Sequence, residues 1–437
     1  MKRLLIFVCL LAVSGLIVGQ KKMSLQDCMQ YAIENSLQIE VQRTDIDDAR
    51  LSRRDAILRA FTPTISGGSY AYMNFGRSVD PETNTYMSVS SFNNGYSVSG
   101  SIVLFNGFTA VNNIRVAQTA VKMGLTREEQ MQDEICLAVI EAYCNVLYYK
   151  RMLDAVEAQV ITASENLTLV ERQEELGQKS YADVIQLEAN LADREYQKIL
   201  IENQYRDAML TLKDLMLYPV DEELEIGIDV LLVAEAVSGP TALEHPSLKI
   251  AEWRMQSAAI DLRTARWSFA PSLSLNGGWS TSYYTYPGME GYVAKPYFEQ
   301  LLNNGGEYVQ LSLSIPIYDG LLRYSNIARK KNALRRAQAE YEQTRREVES
   351  EIVRATQDCE GAKVAVEQAD KYRLVQEKAY ELSNKKLEQG ILSPTELRIA
   401  SDNYLQAEAE LLNSQLKYFI KTCVVNYYKG NHYIDQF

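Results

Sequence analysis

From Thr109 to Glu175 the chain has no proline, and its one glycine there is Gly124. Inside that stretch Ile135, Val139, Ala142, Val146, Tyr149, Leu153, Val156, Val160, Ala163, Leu167 and Val170 follow one another in alternating steps of four and three. This is a heptad seam, the mark of helices packed side by side over many turns. At 1.5 Å per residue the stretch makes a helix on the order of 100 Å long. A second seam occupies Val348, Ile352, Ala355, Cys359, Ala362, Val366 and Ala369, then slips to Tyr372, Val375, Ala379 and Leu382, which predicts a local change of supercoil. A descending helix carries Val184, Leu187, Leu191, Ile201, Tyr205, Ala208, Leu212 and Leu215, with Arg194 and Lys198 interrupting the line toward water or an acidic neighbour. Taken alone, these helices fit a fibrous coiled coil or a helical scaffold as well as anything larger.

The chain is also written twice. Phe61-Thr62-Pro63-Thr64-Ile65-Ser66 is echoed by Phe269-Ala270-Pro271-Ser272-Leu273-Ser274, Phe105-Asn106-Gly107 by Tyr318-Asp319-Gly320, and Leu176-Gly177-Gln178-Lys179-Ser180 by Gln389-Gly390-Ile391-Leu392-Ser393. The expected organisation is a first repeat over 20–216, with strands at about 64–76 and 95–105, a long helix 109–175 and a helix 180–216. A connector at 217–240, rich in Pro, Gly and acid, leads to a second repeat over 241–430. That repeat has strands at about 272–286 and 307–318, a long helix 321–388 and a helix 393–428, followed by a tail at 431–437.

The strands constrain the answer most sharply. Val309, Leu311, Leu313, Ile315 and Ile317 alternate with Gln310, Ser312 and Ser314, and Tyr96, Val98, Ile102 and Leu104 alternate with Ser97, Ser99 and Ser101. This is the period-two pattern of a sheet wet on one face and apolar on the other. A soluble protein would bury the apolar face on a core, yet every nearby helix is committed to its own seam. Lipid is the remaining apolar environment, and there no strand edge stays unpaired. Four strands per chain fall below the eight of the smallest closed membrane barrels, so two, three or four copies have to share one. Tyr-rich strand ends suit the interfacial aromatic belts, and residues 77–94 and 287–306 read as long outer loops.

Other classes fare poorly. Met1-Lys2-Arg3, an apolar run from Leu4 to Val18 and then Gly19-Gln20 form a secretory signal over 1–19, with a single membrane anchor as the alternative. A formal charge of −12 argues against a nucleic-acid partner. Two histidines, His245 and His432, lack Cys or His partners at ligand spacing, so no metal site is expected. Cys28, Cys136, Cys144, Cys359 and Cys423 are an odd, scattered set that reads as small apolar residues rather than a disulfide framework. No phosphate loop, HExxH or GxSxG occurs, and neither an enzyme nor a cofactor is expected.

The order of these parts, with Phe-x-Pro before each strand pair and Gly-x-x-Ser at each helical turn, resembles the outer membrane efflux protein family of TolC-like outer-membrane factors. The resemblance spans nearly the whole mature chain. It implies a mainly α fold with membrane β: a duplicated long-helix α-barrel, plus four strands per chain in a shared, trimeric, 12-stranded transmembrane β-barrel. It further implies a homotrimer in the outer-membrane lipid with a long periplasmic extension, working with a periplasmic adaptor (membrane fusion protein) and an inner-membrane transporter. The implied function is the exit duct of a tripartite efflux or type I secretion system. A periplasmic coiled-coil adaptor without a pore and a passive porin are the alternatives. The family often carries two acids three residues apart just past the second turn; here Glu396 matches the first and Ile399 stands at the second, while in the first copy Asp183 is followed by Gln186. Asp183 and Glu396 are therefore the candidate periplasmic gate, and Leu176, Gly177, Ser180, Gly390 and Ser393 the candidate adaptor-docking tip. Ser180-x-x-Asp183 and Ser393-x-x-Glu396 equally fit capping boxes.

Overall fold

The computed structural model describes residues 22–79, 84–227 and 245–437. The signal segment expected at 1–19 lies outside them, as does the expected connector from residue 228 onward. The described elements begin with α1 (Leu25–Asn35) and α2 (Leu37–Phe61), followed by strands β1 (Thr64–Asn74), β2 (Arg77–Val79), β3 (Tyr86–Ser88) and β4 (Ser91–Asn106). Helices α3 (Thr109–Glu175), α4 (Tyr181–Met216) and α5 (Pro246–Trp267) precede β5 (Ser272–Thr285), α6 (Tyr297–Asn303) and β6 (Gly306–Ser314). The chain closes with α7 (Leu322–Glu388), α8 (Pro394–Tyr428) and a short 3-10 turn at Tyr433–Gln436. It divides into two compact units, 1–42 with 126–248 and 344–437, and 43–125 with 249–343, so neither unit consists of one repeat alone.

The second of these units holds a four-stranded antiparallel sheet in the order β1-β4-β5-β6. Register places Ile102, Leu275 and Leu311 side by side on one face, and Ser101, Asn276 and Gln310 side by side on the other. The apolar face is exposed, Val309 to 83% and Ile65 to 74%. β6 stops at Ser314, short of the expected 318, because Pro316 has no N–H to donate to a ladder. The segments expected as long loops carry more structure than that: β2 and β3 pair as a small hairpin. Helix α6 fastens to the end of β5 that outlasts β6. There Gln300 Oε1 accepts from the Tyr284 N–H at 3.1 Å, Gln300 Nε2 donates to the Tyr284 carbonyl at 3.1 Å, and Asn304 Nδ2 donates to the Ser282 carbonyl at 2.7 Å. Side-chain amides thereby occupy a strand edge that would otherwise be open for pairing.

Both repeats leave their strands through the same turn. Gly107 and Phe108 have φ of 63° and 60°, Gly320 and Leu321 have 68° and 67°. Asn106 Oδ1 then accepts from the Ala110 N–H at 3.2 Å, and Asp319 Oδ2 from the Arg323 N–H at 3.1 Å. The side chain before each left-handed pair thus receives one of the donors that a helix start leaves free.

In the other unit the core gathers α1, the middle of α3, the end of α4 and the end of α8. Cys28, Met29, Val139, Ile140, Tyr143, Val146, Leu212, Phe419 and Cys423 form its centre. α1 is started by a full capping box from Ser24 and Asp27. The five cysteines of the described residues are free. Every position of the α3 seam is buried or half-buried. The slip expected in α7 is corrected: Tyr372, Val375, Ala379 and Leu382 are exposed, while the covered line continues in heptad register through Arg373, Gln376, Tyr380, Ser383 and Leu387. The guanidinium of Arg373 is held by Glu377 at 3.1 Å, which lets a charged side chain occupy a seam position. At the end of α4, Met216 rather than Leu215 is buried.

Candidate functional site: the paired helical turns

The candidate residues lie on two turns with the same construction. α3 ends as Gly177, at φ 73°, places its N–H on the Glu174 carbonyl at 2.8 Å, and Gln178 reaches back to the Gln173 carbonyl at 2.8 Å. α7 ends alike, with Gly390 at φ 73° bonded to Leu387 at 2.8 Å and Ile391 to Lys386 at 2.9 Å. A left-handed residue with an N–H bond five residues back is the Schellman ending, which favours glycine because a Cβ is strained there. Three residues after each glycine a serine starts the next helix. Ser180 Oγ accepts from the Asp183 N–H at 3.3 Å, and Asp183 Oδ2 accepts from the Ser180 N–H at 3.1 Å and its hydroxyl at 2.8 Å. Ser393 and Glu396 repeat the arrangement at 3.3, 3.2 and 3.0 Å.

These bonds act on the ionised form of each acid. The Ser180 hydroxyl, then the Ser180 N–H, holds the Asp183 carboxyl below its ordinary range. For Glu396 the Ser393 N–H comes first and the hydroxyl second, with the same direction. Both carboxylates are thus negative caps at helix N-termini, where the helix dipole favours them. Among the described residues no hydrogen bond joins Asp183 to Glu396; each is held by its own serine. Leu176 is exposed, as are Tyr181 and Ile391 beside it, so the turns present apolar side chains to their surroundings. Lys179 Nζ donates to the Leu392 carbonyl at 3.3 Å, and Thr395 Oγ1 to Gln186 Oε1 at 3.1 Å, which ties one turn to the other.

Further along the same helices lies a contact that the sequence only half reveals. Arg194 of α4 is 1% exposed, donates to Gln197 Oε1 at 2.9 Å, and pairs with Asp402 of α8, whose side chain is 45% exposed. Gln159 Nε2 donates to the neighbouring Ser401 carbonyl at 3.4 Å. The break in the α4 seam at Arg194 signalled an unusual position, but nothing local to Asp402 marked it as the partner. Lys198, the other interruption, meets Glu157 at 2.9 Å. Among the described residues no group of three or more His, Cys, Asp or Glu side chains is placed to hold a metal ion.

Duplicated long helices, matching turns and an open sheet that is apolar on one face define an outer-membrane efflux component. The chain belongs to the outer membrane efflux protein family, whose model matches residues 28–216 and 240–421. Among curated proteins it is 24% identical over 252 residues to the pyoverdine export outer membrane protein OpmQ of Pseudomonas putida, covering 56% of this chain and 49% of that protein. The chain spans about half the length of the curated relatives it matches. Its fold is that of the outer membrane protein VceC of Vibrio cholerae, with a TM-score of 0.76 at 14% identity over 94% of this chain and 96% of the other. CusC gives a TM-score of 0.78 at 15% identity, over 93% and 91%. Membership of this family places the protein in the outer membrane.

Proposed function

We propose that three copies of this chain assemble into one outer-membrane channel, the exit duct of a tripartite export system. The observation that carries the reading is the sheet: four strands, an exposed apolar face, and β1 and β6 as edges with no partner strand among the described residues. In lipid those edges need strands from other copies, and three chains supply twelve, an even number within the range of closed membrane barrels. The exposed face of α7 supports self-association as well. Val353, Val364 and Val375 are all exposed and recur every eleven residues, a spacing that keeps them on one side of a helix.

On this reading an N-terminal signal directs export of the chain and its helices form a periplasmic extension. The paired turns, with Leu176, Gly177, Ser180, Gly390 and Ser393, are the docking end for a periplasmic adaptor and its inner-membrane pump. Asp183 and Glu396 cap their helices and place negative charge at the entrance. Opening is an exchange of helix contacts around Gly177 and Gly390, a bistable packing change. The channel performs no chemistry of its own. The two OpmQ relatives are pyoverdine export proteins, and we extend export of a small molecule to this chain.

Light scattering on the detergent-purified protein tests the assembly, and planar-bilayer conductance tests the pore. The expected result is a protein mass about three times that of the chain, with channel activity. A lone, water-soluble monomer that never conducts refutes the proposal and favours an adaptor or scaffold.

A further inference from the structure

The polar face of the sheet is uncharged from end to end. Apart from Val103 at the β4 bulge, its side chains in β1, β4, β5 and β6 are Ser, Thr, Asn, Gln and Tyr, interleaved with Gly. The one ionisable carboxylate in these four strands, Glu307, lies on the opposite face across from Trp279.

Two tyrosines on the polar face lie over glycines. Tyr70 of β1 stands opposite Gly95, where a Cβ would come within 2.5 Å of the tyrosine ring. Tyr308 of β6 stands opposite Gly278, where a Cβ would lie 2.9 Å from its Cε1. The Tyr308 ring thus sits over the bare backbone of Gly278 and is 48% exposed, and the Tyr70 ring sits over that of Gly95 and is 53% exposed, with the Tyr72 ring stacked beside it at 5.8 Å between centroids. Tyr308 is level with Ser99 and Ser66; Tyr70 is four residues further along β1, about 13 Å at the usual rise of a strand. The level between them holds Gly68, Ser97, Ser280 and Gly306, all small.

Resting on the channel reading above, in which this face lines the pore, we propose that the strand section of the duct is a binding surface for uncharged aromatic solutes that bear hydroxyl groups. An exposed tyrosine ring offers stacking to a planar ring, as Tyr70 and Tyr72 already do with each other. The serine hydroxyls beside it donate and accept, as Ser66 and Ser99 do with each other at 3.2 Å. An ionic group finds no opposite charge on this wall to offset whatever hydration it gives up on contact. Covering a glycine with an aromatic ring also stabilises a sheet, and the test separates that role from binding.

The test is equilibrium dialysis of the detergent-purified assembly against 4-nitrophenyl glucoside, with 4-nitrophenyl phosphate as the charged comparison. Wild type is expected to bind the glucoside at least tenfold more tightly than the phosphate ester. Tyr70→Ser with Tyr308→Ser is expected to weaken it roughly tenfold or more, the scale of a lost stack. Tyr70→Phe with Tyr308→Phe keeps it within about threefold, since stacking needs only the ring. Where the Ser pair does not assemble, Tyr→Leu at both positions keeps the glycines covered without a ring and has the same expected loss. Unchanged binding in the ring-less assembly, equal binding of the phosphate ester, or no binding by wild type overturns the proposal. The pore reading is tested separately by a membrane-impermeant maleimide on proteoliposomes carrying Ser99→Cys or Val98→Cys. Labelling of Ser99→Cys with protection of Val98→Cys supports it; the reverse pattern overturns it, and the proposal with it, whatever the dialysis shows.

Discussion

Arg194 and Asp402 are unequal partners, and that inequality sets what happens when either is changed. Replacing Asp402 by Ala strands a guanidinium that is 1% exposed, with Gln197 as its one remaining bond. Breaking a fully buried pair by removing one side costs about 3–5 kcal/mol. Asp402 is 45% exposed, so water screens the pair and can follow the truncated side chain inward. Discounted for that, Asp402→Ala is expected to cost about 1–3 kcal/mol. Arg194→Met keeps the apolar length of the side chain and leaves a carboxylate that is already half in water. Its expected cost is under about 1 kcal/mol, in line with apolar replacement of buried pairs. The double variant should then sit near Arg194→Met alone, since the stranded cation is gone. Urea unfolding of the purified protein, followed by helical circular dichroism, measures all three against wild type. Equal losses for Arg194→Met and Asp402→Ala would mean that attraction between the charges, rather than the penalty of a stranded cation, dominates, and would refute the reasoning.

Other expectations follow from the turns and the core. Ser180→Ala removes a cap and should cost about 1 kcal/mol in the same urea assay. Because the Asp183 carboxyl is held below its usual 3.8, its contribution is present above that value and fades only as pH falls through the lowered one, so a cap loss already complete near pH 5 would contradict the geometry. Gly177→Ala meets no atom within 4 Å and pays only backbone strain at φ 73°, whereas Gly107→Ala adds a Cβ 2.5 Å from the Trp267 carbonyl oxygen; the second should be clearly the more destabilising, and the reverse order of urea midpoints would be wrong for this packing. Burial pushes the Cys28, Cys136, Cys144 and Cys423 thiols up to about 12. At pH 8 maleimide should therefore react faster with Cys359 than with these four, as read by mass spectrometry of peptides.

What was legible in the sequence follows from how far each signal reaches. The α3 seam was readable residue by residue because heptad burial depends on spacing alone, and the strand faces because alternation needs only period two. The turns at Gly177 and Gly390 were readable because a Schellman ending and a capping box are built from neighbours in the chain. The slip in α7 misleads because Tyr372, Val375 and Leu382 are apolar, and apolarity is not burial; the covered line runs through Arg373 and Gln376, and the guanidinium of Arg373 meets Glu377 along the helix. Asp402 was invisible for a different reason. Its partner is 208 residues away, and no local pattern encodes such a pairing. Helix α6 was missed because it is seven residues long and held by Gln300 and Asn304 bonds to a strand edge, contacts that exist only once that edge is built.

Duplication explains why local punctuation agrees between the repeats while the long helices do not. The exit from the strands, the glycine ending and the serine cap are each satisfied within a few residues, so both copies retain the same geometry to within tenths of an ångström in their hydrogen bonds. Lateral surfaces answer to whatever packs beside them. In α3 the stretch from Cys136 to Leu147 is covered on several sides by α1, α4 and α8, whereas α7 keeps Val353, Val364 and Val375 in the open. Exposed valines in a row are a poor surface to leave against water, and a neighbouring copy would cover them. The first repeat thus supplies most of this core, closed by α8 of the second, while α7 of the second keeps a valine row that the proposed assembly would cover, a division of labour that an identical pair of repeats would not provide.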